Sequence, residues 1–277
     1  DKIDYDSHND FKKEHTGKNY PNAMNDISQK NNNVRQGQGP PILMLHGLAA
    51  SLHDWDVLLP ALGEAGYAGY ALDLFGHGDS AKPKQLEQYT IQQVYAHMET
   101  WVDSLELKRR PVFIGHSLGG YLILQYVLRN PSRVKALVLV NPFYSIRQLP
   151  LALRLFFRRP LLNTSLIERT PYWLFRTLVD LSSITFGASS GNKHSLPESV
   201  RIQTAVDYKR ASPNIFNIPR TLVELVGLEY IDLPTLVVWG EHDQSLAPES
   251  FPELADKLPR AEGIPLAAGH VPHQSNT

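Results

Sequence analysis

Between residues 34 and 270, short continuous apolar runs alternate with segments whose apolar residues recur at helical spacing. Continuous apolar runs are typical of strands that are buried on both faces. Their alternation with helical segments predicts a mostly parallel, doubly wound sheet with helices on both faces, which is an α/β fold. The predicted strands are residues 42–45, 67–72, 111–114, 134–140, 234–240 and 263–267, and the predicted core helices are residues 52–64, 91–105, 121–129 and 248–258.

Two segments depart from this rhythm. Residues 1–33 are polar and rich in Asn, Lys and Asp, which predicts a disordered or loosely attached tail. Residues 144–230 carry helical patterns without strands, which predicts an all-helical insertion between two strands, in the position of a cap or lid. The core is therefore expected in two parts, residues 34–143 and 231–277.

Composition narrows the function without deciding it. The chain has 277 residues, of which 42% are hydrophobic, and its formal net charge of -1 gives no argument for nucleic acid. The absence of cysteine excludes thiol nucleophiles, disulfides and Cys-ligated metals, and fits a reducing compartment. No signal-peptide pattern and no apolar run near the roughly 20 residues of a membrane span are visible. We therefore predict a cytoplasmic protein.

A glycine-rich turn carries the strongest chemical signal. Gly115-His116-Ser117-Leu118-Gly119-Gly120 lies between a predicted strand and a predicted helix, which fits the G-x-S-x-G pattern in its expected context. A sharp turn there lifts the serine oxygen above the sheet edge, and its flanks leave no room for side chains. The following helix start presents N–H groups to an anion. Similar glycine-rich turns occur in many other α/β proteins, so the rest of the site must decide.

A candidate acid and a candidate base follow later strands, at the carboxyl ends where ligand chemistry collects in open α/β sheets. Asp243 follows the predicted strand at 234–240, and His270 follows the last one. The arrangement predicts Ser117 as nucleophile, His270 as general base and Asp243 as the acid that orients the imidazole. Alternatives for the base and the acid are His273, Asp232 and Asp79.

Neither a metal nor a phosphate-binding site is predicted. His242 beside Asp243, and His270 three residues before His273, could suggest ligands, but Pro272 interrupts the second pair and the serine site already explains Asp243 and His270. The glycines after Gly115 lack the lysine of a phosphate-binding loop. We expect no cofactor.

These motifs together resemble the α/β-hydrolase superfamily from about Val34 to His270. The resemblance implies an α/β-hydrolase fold with a helical cap, a catalytic triad, and an oxyanion hole formed by the backbone N–H groups of Leu48 and Leu118. Haloalkane dehalogenases and epoxide hydrolases that resemble this fold use an aspartate nucleophile, so Ser117 disfavours both activities. The matching pieces are His46-Gly47-Leu48, Asp73-x-x-Gly76-x-Gly78-x-Ser80, Gly115 to Gly120, Trp239-Gly240-x-x-Asp243 and Gly269-His270.

Among the reactions that a serine nucleophile permits, we predict hydrolysis of a carboxylic ester through an acyl-enzyme. The aromatic and aliphatic content of the insertion, which includes Trp173, suggests a small, largely apolar substrate. Lactonase, acyltransferase and carbon–carbon (meta-cleavage-type) hydrolase chemistry on the same triad remain open, as does a ligand sensor with little turnover. Oligomeric state, monomer or dimer, is also open. The residues that we expect near the substrate are His46, Gly47, His116, Phe143 and Trp173.

The predicted insertion carries arginines at 147, 154 and 158, whose spacing of seven and four would place them on one helical face. A solvated face is the simpler interpretation, and the alternatives are contact with an anionic membrane surface or with a substrate carboxylate. The ends of the chain depart from the usual family pattern of an initial β-hairpin and a final helix. A polar tail stands at the start, and seven residues follow His270. We therefore expect weakened sheet edges, or a chain that is part of a longer one.

Overall fold

A seven-stranded sheet organises the protein, as a computed structural model shows. The structure describes residues 30–158, 168–183 and 195–275. The strand order is β1-β3-β2-β4-β5-β6-β7, with β1 antiparallel to β3 and every other pair parallel. The strands are β1 Asn33–Gln36, β2 Pro41–Leu45, β3 Ala68–Leu72, β4 Val112–His116, β5 Ala136–Val140, β6 Thr235–Gly240 and β7 Ala261–Leu266.

Seven α-helices accompany the strands in the described part of the chain. Helices α1, α2, α3 and α7 connect strands or follow them within the core, whereas α4, α5 and α6 lie between β5 and β6 in sequence. Their bounds are α1 Leu58–Glu64, α2 Ile91–Ser104, α3 Leu118–Arg129, α4 Leu151–Arg158, α5 Tyr172–Ser182, α6 Glu198–Arg210 and α7 Ser250–Lys257. This confirms the predicted fold class.

The central strands are apolar because both faces of the sheet are covered. Strand β2 is buried along its whole length, as expected for a parallel strand between two helix layers. One face packs in the large core cluster with α2 and α3, which includes Trp101 and Phe113. A smaller cluster around Trp55 and Met44 covers the other face near α1. The sheet is therefore a rigid base for the loops at its carboxyl edge.

Two details of the predicted elements are wrong. The predicted helix at 52–64 is a 3₁₀ turn, Leu52–Trp55, followed by the separate helix α1. The expected weak first edge of the sheet is occupied by β1, which pairs with β3 from Asn33 to Gln36, so order begins before Val34. Residues 1–29 of the predicted tail lie outside the described residues.

Hydrogen bonds tie the segment between β5 and β6 to the core. Ile91 N–H donates to Thr221 Oγ1 over 2.8 Å, and Ser212 N–H donates to the carbonyl of Gly76 over 2.8 Å.

The three arginines at 147, 154 and 158 do not share one helix face as predicted, because Arg147 lies in the 3₁₀ turn Ile146–Gln148, ahead of α4. The domain boundaries and the cap assignment stay predictions. Of the helices in the described ranges, none has the length and apolar content that a membrane crossing needs.

Candidate active site

Ser117 lies at the junction of β4 and α3 in a conformation that few residues adopt. Its φ is 49° and its ψ is -113°, and a non-glycine residue at positive φ is strained. Backbone bonds hold this turn: Ser117 N–H donates to the carbonyl of Val140 over 3.1 Å, and Phe143 N–H donates to the carbonyl of Ser117 over 3.0 Å. The strain is therefore supported by the neighbouring strand end.

The glycines of the turn are required by close backbone approach. A Cβ on Gly119 would collide with the backbone of Leu45, and one on Gly120 would lie 2.8 Å from Cβ of Pro142. A Cβ on Gly115 would lie 2.8 Å from the backbone of Gly119. Since real Cβ atoms do not approach so closely, the expectation that the turn tolerates no side chains on its flanks agrees with the packing.

The structure brings Ser117, His270 and Asp243 together in one hydrogen-bonded line. Nε2 of His270 lies 3.2 Å from Oγ of Ser117, and Nδ1 of His270 lies 2.8 Å from Oδ2 of Asp243. The three residues follow β4, β7 and β6 respectively, whose carboxyl ends meet at one edge of the sheet. Both ring nitrogens of His270 therefore face a partner that a proton-transfer role needs.

Asp243 is buried and well supplied with donors. The backbone N–H groups of Ser245 and Leu246 donate to Oδ1 over 2.7 and 3.0 Å. Burial alone would raise the pKa of Asp243, but the nearby His270 and these hydrogen bonds more than offset it, so the pKa lies below its ordinary value. The carboxylate is therefore held ionised and fixed in place beside the imidazole.

Asn141 belongs to the site, and the sequence analysis missed it. Its Nδ2 donates to Oδ2 of Asp243 over 2.6 Å, and its Oδ1 accepts from Gly240 N–H over 3.2 Å. The residue is fully buried and has a φ of 40°. The available signal was its position, since an Asn-Pro pair directly after a buried strand stands at the same sheet edge as Ser117.

The rival residues have other partners. His273 stacks on Trp55 with ring centroids 4.9 Å apart, and burial together with nearby His116 lowers its pKa to about 3. Asp79 forms an ion pair with Arg210. Asp232 lies 3.9 Å from Arg260 at the surface. The structure thus places His270 and Asp243, rather than these three residues, beside Ser117.

Comparison with known proteins agrees with this architecture. Residues 40–277 match the family described as alpha/beta hydrolase fold. The chain belongs to this family. Bifunctional epoxide hydrolase 2 of Rattus norvegicus is 32% identical over 168 residues, which cover 55% of this chain and 30% of that protein. The chain thus spans about a third of the length of this curated relative.

Several solved structures share the fold of this chain although their sequence identity to it is low. A thermophilic esterase from Thermogutta terrifontis (malate bound) has a TM-score of 0.71 at 19% identity, over 88% of each chain. The enol-lactonase from Burkholderia xenovorans LB400 has a TM-score of 0.70 at 21% identity, over 87% of this chain and 89% of that one. These likenesses show the fold, and family membership supports a hydrolase activity.

One predicted oxyanion residue adjoins Ser117 in the chain, and the other follows a glycine that packs against the serine turn. Leu118 is the first residue of α3, so its N–H has no acceptor within the helix. Leu48 follows Gly47, whose backbone packs closely on the serine turn: a Cβ on Gly47 would lie 3.2 Å from Cβ of Ser117. Their role as anion donors stays a prediction.

The predicted substrate-side residues separate into different surroundings. Phe143 is buried next to the turn, with its ring centroid 6.1 Å from that of Tyr121. Both ring nitrogens of His46 are used structurally: Nδ1 donates to the carbonyl of Gly47, and Nε2 accepts from Leu74 N–H. Trp173 is 65% exposed on α5, so its place in a pocket stays a prediction.

One cluster in the described ranges could in principle hold a metal ion. Asp54, His116 and His273 each offer one atom that could bind a metal, a carboxylate oxygen or a ring nitrogen, and these three atoms lie within 4.8 Å of one another. Two of these groups already have protein partners, because the nitrogens of His116 lie 3.3 Å from Asp54 Oδ2 and 2.9 Å from the carbonyl oxygen of His270. Hydrogen bonding therefore accounts for Asp54 and His116, whereas both ring nitrogens of His273 are buried without a described hydrogen-bond partner.

Proposed function

We propose that this protein is a serine hydrolase that cleaves a carboxylic ester of a small, largely apolar substrate through an acyl-enzyme. The observation that carries the proposal is the line from Asp243 through His270 to Ser117, with contacts of 2.8 and 3.2 Å. A serine hydroxyl is a weak nucleophile by itself, and an adjacent oriented base activates it. All three parts of that device lie within hydrogen-bonding reach.

In the proposed reaction, Oγ of Ser117 attacks the ester carbonyl while Nε2 of His270 takes the hydroxyl proton. The imidazolium then gives this proton to the leaving alkoxide, which leaves as the alcohol. Water attacks the acyl-enzyme with the same histidine as base, and the acid leaves. Asp243 holds the imidazole with Nδ1–H toward its carboxylate and stabilises the imidazolium that forms.

The backbone N–H groups of Leu48 and Leu118 are proposed to stabilise the oxyanion of each tetrahedral intermediate. The first N–H groups of a helix have no internal partner and favour negative charge, which suits Leu118 at the start of α3. Loss of one such donor typically costs about 3 to 4 kcal/mol of transition-state stabilisation. Since both donors are main-chain groups, their side chains can vary.

The nucleophile separates this proposal from the activity that the sequence relative is named for. Opening of an epoxide leaves an alkyl-enzyme ester on a carboxylate nucleophile, which water can hydrolyse, whereas the same attack by Ser117 would leave a stable ether. Acyl transfer has no such difficulty, because a serine ester is hydrolysed in the second step. The structural neighbours named as an esterase and an enol-lactonase are consistent with acyl chemistry, although at their identity the likeness concerns the fold.

Buried Phe143 beside the turn supports an apolar acyl or alcohol group in the substrate. Lactones, acyl transfer and carbon–carbon bond hydrolysis would use the same three residues. A ligand sensor that turns over slowly would share the geometry but not the rate. Substrate series, rather than the site geometry, separate these alternatives.

The test uses a fluorophosphonate probe and p-nitrophenyl esters from acetate to octanoate, alongside a lactone and a meta-cleavage dienone. We expect labelling of Ser117 and ester turnover, with both reduced at least about 10³-fold in Ser117→Ala. Ser104→Ala, on α2 away from the site, is the matched control and should behave as wild type. Labelling without turnover of any substrate would favour the sensor, and unchanged activity in Ser117→Ala would refute the proposal.

A further inference from the structure

His116 lies directly before the nucleophile and contacts the backbone of the proposed base. It is the last residue of β4, and it is 3% exposed. Its Nε2 lies 2.9 Å from the carbonyl oxygen of His270, and its Nδ1 lies 3.3 Å from Oδ2 of Asp54. A second Asp–His pair therefore contacts His270, at its main-chain carbonyl.

The partners of His116 fix where its protons lie. A carbonyl oxygen only accepts hydrogen bonds, so Nε2 carries a hydrogen and donates to His270. Burial alone would raise the pKa of Asp54, but the contact with His116 more than offsets this and lowers the pKa to about 2. Nδ1 faces the carboxylate of Asp54 over 3.3 Å, so both ring nitrogens of His116 have protein partners.

Asp54, Trp55 and His116 also contact the chain just after His270, at residues 273 and 274. Nε2 of Gln274 donates to Oδ1 of Asp54 over 3.2 Å. The ring of His273 lies between two others, 4.9 Å from Trp55 and 4.8 Å from His116 by ring centroids. Main chain or side chains at positions 270, 273 and 274 are thus held against Asp54, Trp55 and His116.

His270 needs such support because a loop carries it. Strand β7 ends at Leu266, and the next regular element is the 3₁₀ turn Pro272–Gln274. The His270 side chain is 25% exposed, so packing alone encloses it only in part. Asp243 holds the ring of His270 at Nδ1. The hydrogen bond from His116 fixes the carbonyl of that same residue.

We propose that Asp54 and His116 are positioning residues, which hold the main chain of His270 so that its Nε2 stays within reach of Ser117. This inference rests on the proposed function, because it concerns the base of that reaction. His116 acts on His270 through its carbonyl and through a contact of the two rings, whose centroids lie 4.9 Å apart, and Asp54 acts through His116. The expectation that His116 lies near the substrate stays a prediction. Small displacements of reacting groups cost much, since a misplacement of about 1 Å lowers a rate by roughly 10²-fold.

The test compares His116→Met with His116→Gln. Methionine fills similar space without a donor, whereas the amide of glutamine can donate to the carbonyl of His270. We expect kcat for a p-nitrophenyl ester to fall about 10- to 100-fold in His116→Met, with KM close to wild type. His116→Gln should regain most of the loss. The rate of labelling by the fluorophosphonate probe should follow kcat.

Three further variants serve as a control, as a replacement if His116→Met does not fold, and as a separate check of the proposed function. His53→Gln removes an exposed Asp–His contact, that of His53 with Asp56, and should leave kcat unchanged. If His116→Met does not fold, Asp54→Asn takes its place and should lower kcat about tenfold or more. Ser117→Ala separates the two proposals, because its unchanged activity would refute the serine mechanism itself.

Several results would overturn the positioning role. A folded His116→Met with wild-type kcat would do so, as would a loss confined to KM. A His116→Gln variant as slow as His116→Met would show that the donor is not what matters. Loss of activity in EDTA that zinc restores in the wild type, but not in Asp54→Asn, would assign the cluster to a metal instead. A serine mechanism with this cluster as support predicts equal rates with EDTA and with zinc.

Discussion

Two Asp–His pairs meet at His270, which belongs to one pair and accepts a hydrogen bond from the other, and they use the same chemistry for different purposes. In one pair, Oδ2 of Asp243 lies 2.8 Å from Nδ1 of His270. In the other, Oδ2 of Asp54 lies 3.3 Å from Nδ1 of His116. The difference lies in the second nitrogen: that of His270 faces a serine hydroxyl, and that of His116 faces a main-chain carbonyl. A hydroxyl can lose its proton to the imidazole, whereas a carbonyl oxygen can only accept a hydrogen bond from it.

The two histidines also differ in how far their side chains are exposed. The side chain of His270 is 25% exposed, and that of His116 is 4% exposed. Asp243 accepts three protein donors besides the imidazole, from Asn141, Ser245 and Leu246. Asp54 has the single further donor of Gln274 among the side-chain contacts that the structure describes. An Asp–His pair alone therefore does not identify a catalytic base; the partner and exposure of the second nitrogen do.

The largest expected loss of kcat comes from replacing the acid of each pair, in separate variants, by its amide. Asp243→Asn replaces the acceptor at Nδ1 of His270 with an amide that favours the wrong tautomer, so we expect kcat to fall by about 10⁴-fold. Asp54→Asn should cost only about 10- to 100-fold, because it acts through the main chain. Ester hydrolysis by both purified variants measures this ratio. Equal losses would contradict the division of roles, and Asp56→Asn at the surface is the control.

A smaller effect is expected at Asn141, which supports one pair and not the other. Asn141→Ala removes the donor to Oδ2 of Asp243, so kcat should fall about 10- to 100-fold while the Ser117 labelling site stays intact. Asn141→Gly is the matched variant, because Asn141 has a φ of 40°. It should lose as much activity as Asn141→Ala but unfold less easily, by about 1 kcal/mol. Wild-type kcat in the glycine variant would show that only the backbone conformation matters.

The sequence could predict the central sheet and three residues of the candidate site because their signals are local. Gly115 and Gly119 are demanded by the turn that carries Ser117, and Asp243 and His270 each follow a recognisable strand. Asn141 was missed because its role depends on a positive φ and on a neighbouring strand. Local pattern carries neither.

Other features depend on distant contacts and left no pattern. Asp54 and His116 stand 62 positions apart, and only the tertiary fold makes them a pair. Strand β1 is mostly exposed and polar, so it is a strand because β3 pairs with it. The arginines at 147 and 154 fit one helical face by spacing, but Pro150 lies between them and α4 starts only at Leu151. Pairing and interruption of this kind override periodicity.

Asp207 on α6 is a buried carboxylate that extends the comparison, because its described hydrogen bond comes from an amide and not from a histidine, as at Asp54 and Asp243. It is 3% exposed and accepts from Nε2 of Gln203 over 2.9 Å. Burial raises its pKa from 3.8 to about 6, and hydrogen bonds from Ser51 and Gln203 only partly oppose this. The folded state therefore binds a proton more tightly than the unfolded state does, and stability falls as pH rises from about 4 to about 6.

Asp207→Asn keeps the shape of this side chain and removes its titration. A shift of about two pH units corresponds to at most about 3 kcal/mol, and the cost of burying the amide reduces the gain. We expect the variant to be more stable than wild type by about 1 kcal/mol at pH 7.5, with the difference shrinking toward pH 4. Urea unfolding at both pH values measures it, with Asp256→Asn on α7 as control. A difference that is the same at both pH values would show that Asp207 is not the titrating group.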